Sequence, residues 1–238
     1  MRILKTDRLY CFSPPVMIAT FIIEIACALY VLFRYKLTPV SRVVVTLLVG
    51  LAIFQFAEYN VCEGAWGLDS LTWARIGYVA ITVLPPLGIH LITKLSGKRN
   101  PLLVGTAYAT GAIFAFIFMF VGQGMLGEQC LGNYVIFKIA PWAALPYALY
   151  YYGWMLIGTG YAIWLGQKAK KNIRAALYSL AVGYMAFIIP TTTVNILDSS
   201  TIAGIPSIMC GFAVILAIIL TLKVVPEYYR KDAKHAKA

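Results

Sequence analysis

WARIGYVAITVLPPLGIHLITK, residues 73–94, is the stretch that decides the fold. About 20 mainly apolar residues at ~1.5 Å rise per residue form a helix long enough to cross a bilayer. Inside this stretch, Pro85 and Pro86 remove backbone donors and bend the helix. A bilayer helix tolerates such a break only where neighbouring helices or a cavity satisfy the freed carbonyl groups. The stretch therefore predicts a packed bundle of membrane helices around it.

The composition of the 238-residue chain is that of a membrane protein. Hydrophobic residues make up 61% and charged residues 12% of the sequence, and the mean hydropathy is +0.79. A soluble domain would carry about 25% charged residues. The net charge of +11 comes from short basic runs between apolar stretches, which is typical of cytoplasmic loops that meet anionic lipids. Nucleic-acid binding is not expected, because no soluble module presents a basic face.

Seven apolar spans divide the chain, so we predict an all-α, polytopic membrane protein built as a seven-helix bundle. The first apolar run is too long to be the core of a cleavable signal peptide. We expect helices at about residues 13–33, 43–61, 71–94, 102–121, 142–166, 175–197 and 203–225, and a basic cytoplasmic tail at 226–238, all within a single domain.

Lysine and arginine in the short connections predict the orientation. Alternate connections carry the basic residues Arg34, Lys36, Arg42, Lys94, Lys98, Arg99, Lys168, Lys170, Lys171 and Arg174. The remaining connections hold few bases and several acids. We therefore expect a cytoplasmic C-terminus and an outside N-terminus, although the N-terminal tail is itself basic. The predicted location is the inner membrane of a bacterial or archaeal cell.

The five cysteines fall into two groups in this topology. Cys11, Cys62 and Cys130 lie on the outer side, where disulfides form, whereas Cys27 and Cys210 lie within helices. Three outer cysteines allow one bridge with one cysteine left over. We predict the pair Cys62–Cys130, which would tie helix two to the outer loop; free thiols throughout are the alternative. No Cys-x-x-Cys pair supports a metal site, and no cofactor is predicted.

Two ionisable residues are predicted within the bilayer. Glu24 lies near the middle of helix one, on one face with Thr20 and Cys27. It either handles a ligand or a proton, or joins helices as a protonated carboxyl group. His90 lies near the cytoplasmic end of helix three, where a packed or interfacial histidine is expected. Because the two differ in depth by about 12 Å, we expect no direct pairing.

Polar and aromatic residues recur on one face of four helices in their outer halves. Glu58 and Arg75 lie at similar depth on adjacent helices, so an ion pair between them is predicted. Charges at this depth should turn inward, away from lipid. The alternatives are a closed polar cluster that only fixes helix packing and, for the aromatic residues, an interfacial belt. We predict an outward-opening ligand pocket lined by Glu58, Arg75, Tyr78, Tyr150, Trp154, Thr191 and Asn195.

The segment WARIGYVAITVLPPLGIHLITKLSG, residues 73–97, resembles the third helix of a known sensor family. That family is the seven-helix transmembrane N-terminal sensor region of many bacterial histidine kinases. The shared pattern is a tryptophan, a basic residue and a tyrosine, followed by Val-x-Pro-Pro in mid-helix and a small-residue turn. Such regions feed a cytoplasmic kinase or cyclase, whereas this sequence stops shortly after helix seven. The resemblance therefore implies a free-standing sensor whose output runs through a separate protein.

The predicted function is a sensor-like or receptor-like bundle that binds a small ligand or a partner in its outer half. A structural or assembly subunit of a larger membrane complex is the alternative. A small-solute transporter is less favoured, because no internal repeat joins the two halves of the chain. No enzymatic activity is predicted, since His-Glu-x-x-His, Gly-x-Ser-x-Gly and paired-aspartate motifs are absent from the sequence. A retinal protein needs a lysine deep in helix seven, and Lys223 lies at its cytoplasmic end.

The expected partners follow from the same observations. Membrane lipids surround the bundle, and a protein partner is expected on the cytoplasmic side or within the membrane. Association with further copies of the chain is left open.

Overall fold

The fold is seen in a computed structural model, which describes residues 13–64, 66–130, 135–198, 201 and 204–235, and side chains as far as residue 230. Within these residues the chain is helical apart from one hairpin and the connections. The elements are helices α1 (Pro14–Arg34), α2 (Pro39–Glu63), α3 (Ser70–Thr82), α4 (Leu84–Ser96) and α5 (Pro101–Phe120), strands β1 (Met125–Cys130) and β2 (Val135–Ile139), and helices α6 (Pro141–Lys168), α7 (Lys171–Leu197), α8 (Ile205–Ile219) and α9 (Val225–His235). A π-helical turn, Leu220–Val224, joins α8 to α9.

Most of these helices are long and apolar enough to cross a membrane. Among the described residues, six stretches qualify by length and composition: Pro14–Arg34, Pro39–Glu63, Ser70–Ser96, Pro101–Phe120, Lys171–Leu197 and Ile205–Arg230. Helix α6 has 28 residues, but its five tyrosines and three tryptophans make it less apolar than the others. The predicted helix bounds agree with the structure to within a few residues. The region 226–238 was predicted as a tail, but it is helical to His235 because α8 continues through the π turn into α9.

The stretch formed by α3 and α4 is the centre of the bundle. It contacts α2, α5, α6 and α7. Of its most apolar window, 78% is buried, against 17% for α5. The outer helices instead expose large apolar side chains such as Phe33, Phe116 and Leu149. Extended apolar faces of this kind are rare on soluble proteins and fit a lipid environment.

The break between α3 and α4 falls at Val83. Pro85 and Pro86 occupy the first turn of α4, where their missing N–H groups leave no intrahelical bond unmade. The Thr82 carbonyl would accept from residue 86 in a continuous helix. It accepts instead from the Tyr150 hydroxyl of α6 at 2.5 Å. A neighbouring helix thus satisfies the freed carbonyl, as the proline pair predicts.

Helix α3 begins with a capping interaction at its N-terminus. Asp69 is the N-cap residue, and its carboxylate accepts from the Thr72 amide at 3.3 Å and from the Thr72 hydroxyl at 2.5 Å. The hydrogen bond from the Thr72 hydroxyl is the main reason that the pKa of Asp69 lies below its ordinary value. The cap fixes where the central stretch of the bundle starts.

The loop between α5 and α6 contains an antiparallel hairpin, which was not predicted. In its register, Cys130 faces Val135 and Met125 faces Ile139. Met125 and Val135 are buried, and the Phe137 ring packs 5.8 Å from Phe54 of α2 and 5.3 Å from Tyr78 of α3. The hairpin therefore packs onto the end of the bundle as a cover.

Three interactions hold this cover to three different helices. The Cys62–Cys130 disulfide joins β1 to α2, which confirms the predicted pairing. The Ser70 hydroxyl of α3 donates to Glu128 at 2.6 Å. The Val135 amide donates to the Ser207 hydroxyl of α8 at 3.2 Å.

Candidate ligand cavity beneath the hairpin

A cavity of about 400 Å³ lies beneath the hairpin, between α3, β2, α6 and the first turns of α8. Two residues of α3, four of β2, five of α6 and three of α8 line it. Its volume falls within the range of about 300–1,000 Å³ that small-molecule sites occupy. The cavity is therefore large enough for a small organic ligand.

The inner wall of the cavity is aromatic. Tyr78 packs with its ring centroid 4.9 Å from that of Phe118, 5.3 Å from Phe137 and 5.5 Å from Tyr147. The Tyr147 hydroxyl lies 3.0 Å from Thr82 Oγ1, next to the break between α3 and α4. This wall is held by both packing and hydrogen bonds, so the cavity has a defined shape.

The charged group on the cavity lining is Lys138, an exposed residue of β2. Otherwise the lining consists of aliphatic and tyrosine side chains, including Tyr151, Tyr152 and Met209. An ammonium group at the edge of an apolar, hydroxyl-bearing cavity suits a ligand with an apolar body and an anionic or acceptor group.

A smaller void of about 30 Å³ lies beside the cavity at the proline break. Pro85 and Cys210 line it, and Tyr151 and Met209 are shared with the larger cavity. A space of this volume holds about one water molecule. Tyr151 and Met209 thus separate the cavity from the interior of the bundle.

Of the seven residues predicted to bind a ligand, Tyr78 is the one that lines this cavity. Tyr150 donates to the Thr82 carbonyl, and Trp154 Nε1 donates to Thr110 Oγ1 of α5 at 3.0 Å. Tyr150 and Trp154 therefore join α6 to its neighbours.

The two predicted residues of α7 make local hydrogen bonds. The buried Thr191 hydroxyl donates to the Phe187 carbonyl of its own helix at 2.7 Å. Asn195 Oδ1 accepts from the Thr201 hydroxyl at 2.6 Å, which ties the end of α7 to the connection that follows. Neither residue reaches the cavity.

The predicted ion pair between Glu58 and Arg75 is wrong. Within the part of the chain that the structure describes, the one salt bridge joins Arg230 to Glu227. Glu58 interacts instead with Ser207 of α8 and with Glu24 of α1, because this face of α2 is turned towards α1 and α8 rather than towards α3. Similar depth on adjacent helices does not determine which faces meet.

Glu24 and His90 occupy separate parts of the bundle, as expected. Glu24 is fully buried halfway along α1 and lies near Glu58. His90 Nδ1 lies 3.1 Å from the Tyr108 hydroxyl at the contact between α4 and α5. His90 is therefore packed against a neighbouring helix, and it does not pair with Glu24.

The remaining cysteines among the described residues are Cys27 and Cys210. Cys27 is half-buried and Cys210 is buried, and both are free thiols. Cys11 lies outside the described residues. Among the residues described, no group of three or more His, Cys, Asp or Glu side chains could hold a metal ion.

Sequence reasoning missed the lining residues from β2 and α8. Phe137 lies in a loop where a five-residue strand leaves only a short pattern, VIFKI. Met209 is apolar and so resembles any core residue of α8. The short run of β-branched and aromatic residues, Val135–Ile139, shortly after Gly132 and Asn133 in the sequence, was the one signal that could have predicted a strand there.

In comparisons with known proteins, no protein-family model matches this chain and no curated protein matches it significantly. The resemblance of the third helix to the sensor region of histidine kinases therefore stays a prediction.

Proposed function

We propose that this chain is a membrane-embedded, receptor-like bundle that binds a small ligand in the outer cavity and acts through a separate protein partner. The observation that carries the proposal is the cavity of about 400 Å³ between α3, β2, α6 and α8. A covered, largely apolar cavity with a few polar groups is the usual form of a small-molecule site. The proposed ligand has an apolar body, which lies against Tyr78 and Met209, and an anionic or acceptor group near Lys138.

The proposed topology has seven spans, with α6 as the fifth, an outside N-terminus and a cytoplasmic C-terminus. Two features support it. The basic connections lie at the end where the Tyr229 hydroxyl of α9 donates to the Lys36 carbonyl, so α9 joins the basic end of the bundle. The disulfide and hairpin lie at the opposite end, and disulfides persist on the oxidising side of a membrane.

A groove at the basic end is the proposed contact for the partner. Tyr178 and Val182 of α7, Lys223 of the π turn and Glu227 of α9 line it. Helices α7 and α8 run from this groove towards the cavity. A change in how these two helices pack would therefore alter both the groove and the cavity. We infer that the π turn is where α9 changes its position relative to α8, since π-helical turns are often found at functional sites.

The ligand hypothesis is tested by filling the cavity. Ala148 of α6 lines the cavity, whereas its neighbour Leu149 points outwards and is 66% exposed. Ala148→Trp should fill the space, and Leu149→Trp is the matched control. The probes are medium-chain fatty acids and single-ring aromatic acids, and the readout is thermal stabilisation of the protein in lipid nanodiscs.

We expect at least one probe class to stabilise the wild type and the Leu149→Trp variant, and to have no effect on Ala148→Trp. A probe at about 100 times its Kd should add about 2.7 kcal/mol to the free energy of unfolding. Equal stabilisation of all three proteins would place binding outside the cavity. If no probe stabilises the wild type, the proposed ligand class is wrong.

A second candidate function is that of a subunit in a larger membrane complex. It is favoured by the face of α5 that carries Gly105, Ala109 and Ala112, which are exposed small residues on a helix that is mostly unburied. Small residues let membrane helices approach closely. Gly105→Leu should then reduce chemical crosslinking to a partner span or a second copy in membranes. Unchanged crosslinking would argue against this candidate.

A further inference from the structure

Two carboxyl groups from different helices are buried inside the bundle. Glu24 of α1 is 0% exposed, and Glu58 of α2 is 1% exposed. Glu58 lies close enough to affect the electrostatics of Glu24, and both carboxyl groups affect those of the Cys210 thiol of α8. The cluster therefore joins three helices that lie far apart in the sequence.

Several polar atoms of this cluster have no hydrogen-bond partner among the described residues. They include both carboxyl oxygens of Glu24, Oε1 of Glu58, and Nε2 of Gln55, which is buried on the same face of α2 as Glu58. Buried polar groups are normally hydrogen-bonded, and an unsatisfied group costs about 1–3 kcal/mol. The cluster thus retains unused capacity to bind a small polar species.

The charge of the pair cannot be balanced by a neighbouring cation. No lysine, arginine or histidine nitrogen of the described chain lies within 4.0 Å of either carboxyl group. Arg75 has a buried Nε atom without a partner, but it does not reach Glu58. Two carboxylates that are buried in the same part of the bundle without a cation cannot both stay ionised, so at least one of them carries a proton.

We propose that Glu24 and Glu58 form an intramembrane proton-binding site. The ligand is H⁺: at lower pH both carboxyl groups are neutral acids, and as the pH rises one of them releases its proton to the aqueous phase while the other keeps its own. The site holds no metal ion in this proposal, which agrees with the lack of a metal-type cluster among the described residues. The inference does not depend on the proposed ligand of the outer cavity.

The small void borders both the outer cavity and the surroundings of the pair. The cavity beneath the hairpin shares Tyr151 and Met209 with the small void, and Cys210 lines that void while interacting with both carboxyl groups. The lining of the void is almost entirely apolar, and apolar cavities of this kind stay dry. Exchange of the proton with water therefore requires a local opening of the packing around the void.

The pair is also linked to the hairpin. The Ser207 side chain interacts with Glu58, and its hydroxyl oxygen accepts a hydrogen bond from the Val135 amide of β2. Protonation of Glu58 changes it from a pure acceptor into a group that can also donate, so the Ser207 hydroxyl must respond. Ser207 acts here as a positioning residue between the pair and the cover.

The other groups around the pair are few. Thr20 of α1 bonds its own helix, Tyr78 and Tyr151 are neighbours of Cys210, and Arg75 lies on α3 beyond hydrogen-bonding distance. None of them supplies a compensating charge at the pair. A change in the number of protons bound to the pair therefore changes the net charge of the two glutamates, and no neighbouring charge compensates for it.

The test is infrared spectroscopy of the protein in lipid bilayers, with the pH raised from about 6 to about 9. Ordinary carboxyl groups ionise at about pH 4.3, so they contribute little to a change in the infrared spectrum between these two pH values. We expect the carboxylic-acid C=O band of the wild type to lose intensity as the pH rises. This loss of intensity should be absent from the E24Q/E58Q double variant. It should be retained in E63Q, the control variant, because Glu63 lies on α2 like Glu58 but is exposed.

Other outcomes overturn the proposal. If the band change persists in the double variant, another group titrates. If the wild-type band is present but does not change with pH, the pair is a permanently protonated packing contact, and if no band is present the pair holds no proton. Should the double variant fail to fold, E24Q and E58Q are measured singly, and each should remove or shift the change. Ser207→Ala should shift the pH midpoint of the band change, and the control Ser179→Ala on α7 should not.

Discussion

Gly88 of α4 lies directly against the Tyr184 side chain of α7. A Cβ atom built on Gly88 would lie 2.0 Å from the Tyr184 hydroxyl oxygen and 3.1 Å from Cζ of the same ring. Tyr184 is buried among other core residues, so the ring has little room to move aside. The absence of a side chain at Gly88 is therefore what lets α4 and α7 pack together.

Gly88→Ala is expected to destabilise the bundle by about 1–3 kcal/mol, the usual cost of overpacking a filled core. The measurement is the thermal unfolding of the purified protein in detergent. Gly160→Ala is the matched control, since a Cβ at this exposed position of α6 would meet nothing within 4 Å. The control should be neutral or gain up to about 1 kcal/mol from helix propensity. Similar losses in both variants would contradict the close approach.

Tyr150 is the residue that makes the proline break tolerable. Tyr150→Phe removes the hydroxyl that donates to the Thr82 carbonyl and leaves that carbonyl buried. We expect the free energy of unfolding to fall by about 1–3 kcal/mol. Tyr161→Phe, on the same helix, removes a hydroxyl that bonds none of the described residues and should change stability little. An undiminished stability in Tyr150→Phe would mean that another group, such as water, satisfies Thr82.

At the scale of elements, the hairpin is the part that depends most on covalent support. The disulfide closes a loop with a sequence separation of 68 residues, and such bridges contribute about 2–4 kcal/mol. The hydrogen bonds from Ser70 and to Ser207 remain when the bridge is removed. The hairpin should therefore loosen without the rest of the bundle unfolding.

Replacing Cys62 and Cys130 together with alanine is expected to lower the thermal stability and to speed proteolytic cleavage within the hairpin. Cys27→Ala, which removes a free thiol, is the control and should leave the cleavage rate unchanged. Limited proteolysis followed by mass spectrometry locates the cut sites. If the cleavage rate of the double variant matches that of the wild type, the non-covalent contacts alone hold the cover.

Most of the helices could be predicted from the sequence because they form apolar runs long enough to cross a bilayer, and six such stretches occur among the described residues. The hairpin could not, because its strands have six and five residues within a single loop. The bond between Cys62 and Cys130 was predictable once both cysteines were assigned to one side. The sequence predicted an irregularity at the proline pair, but as a bend in one continuous helix. In the structure the chain breaks at Val83, and the two prolines lie in the first turn of a new helix.

The candidate site was less predictable than the fold. The inward direction of Glu58 followed from the cost of facing lipid, but its neighbours depended on how α1, α2 and α8 pack. Periodicity tells which residues share a face, and it does not tell which two faces of different helices meet. For this reason Arg75 was the wrong partner, and the proximity of Glu24 to Glu58 was not foreseen.

At the scale of the whole molecule, the proposed orientation can be tested by labelling. Gln123 precedes the hairpin and Lys98 lies between α4 and α5, and both are exposed. With Cys11, Cys27 and Cys210 replaced by alanine, a membrane-impermeant maleimide should label Gln123→Cys on intact cells and spare Lys98→Cys. Both should react after the membranes are opened. The reverse pattern on intact cells would invert the topology.

The position of the disulfide along the chain has a consequence for biogenesis. In the proposed orientation, Cys62 leaves the cytoplasm with α2, but Cys130 follows only after the α3–α4 stretch and α5 have both been inserted by the translocation machinery. An oxidase on the far side can therefore join the two sulfurs only when the nascent chain has threaded its first four spans in the correct direction. A chain arrested before that point cannot carry the Cys62–Cys130 bond, so the presence of this one disulfide reports that insertion has passed α5.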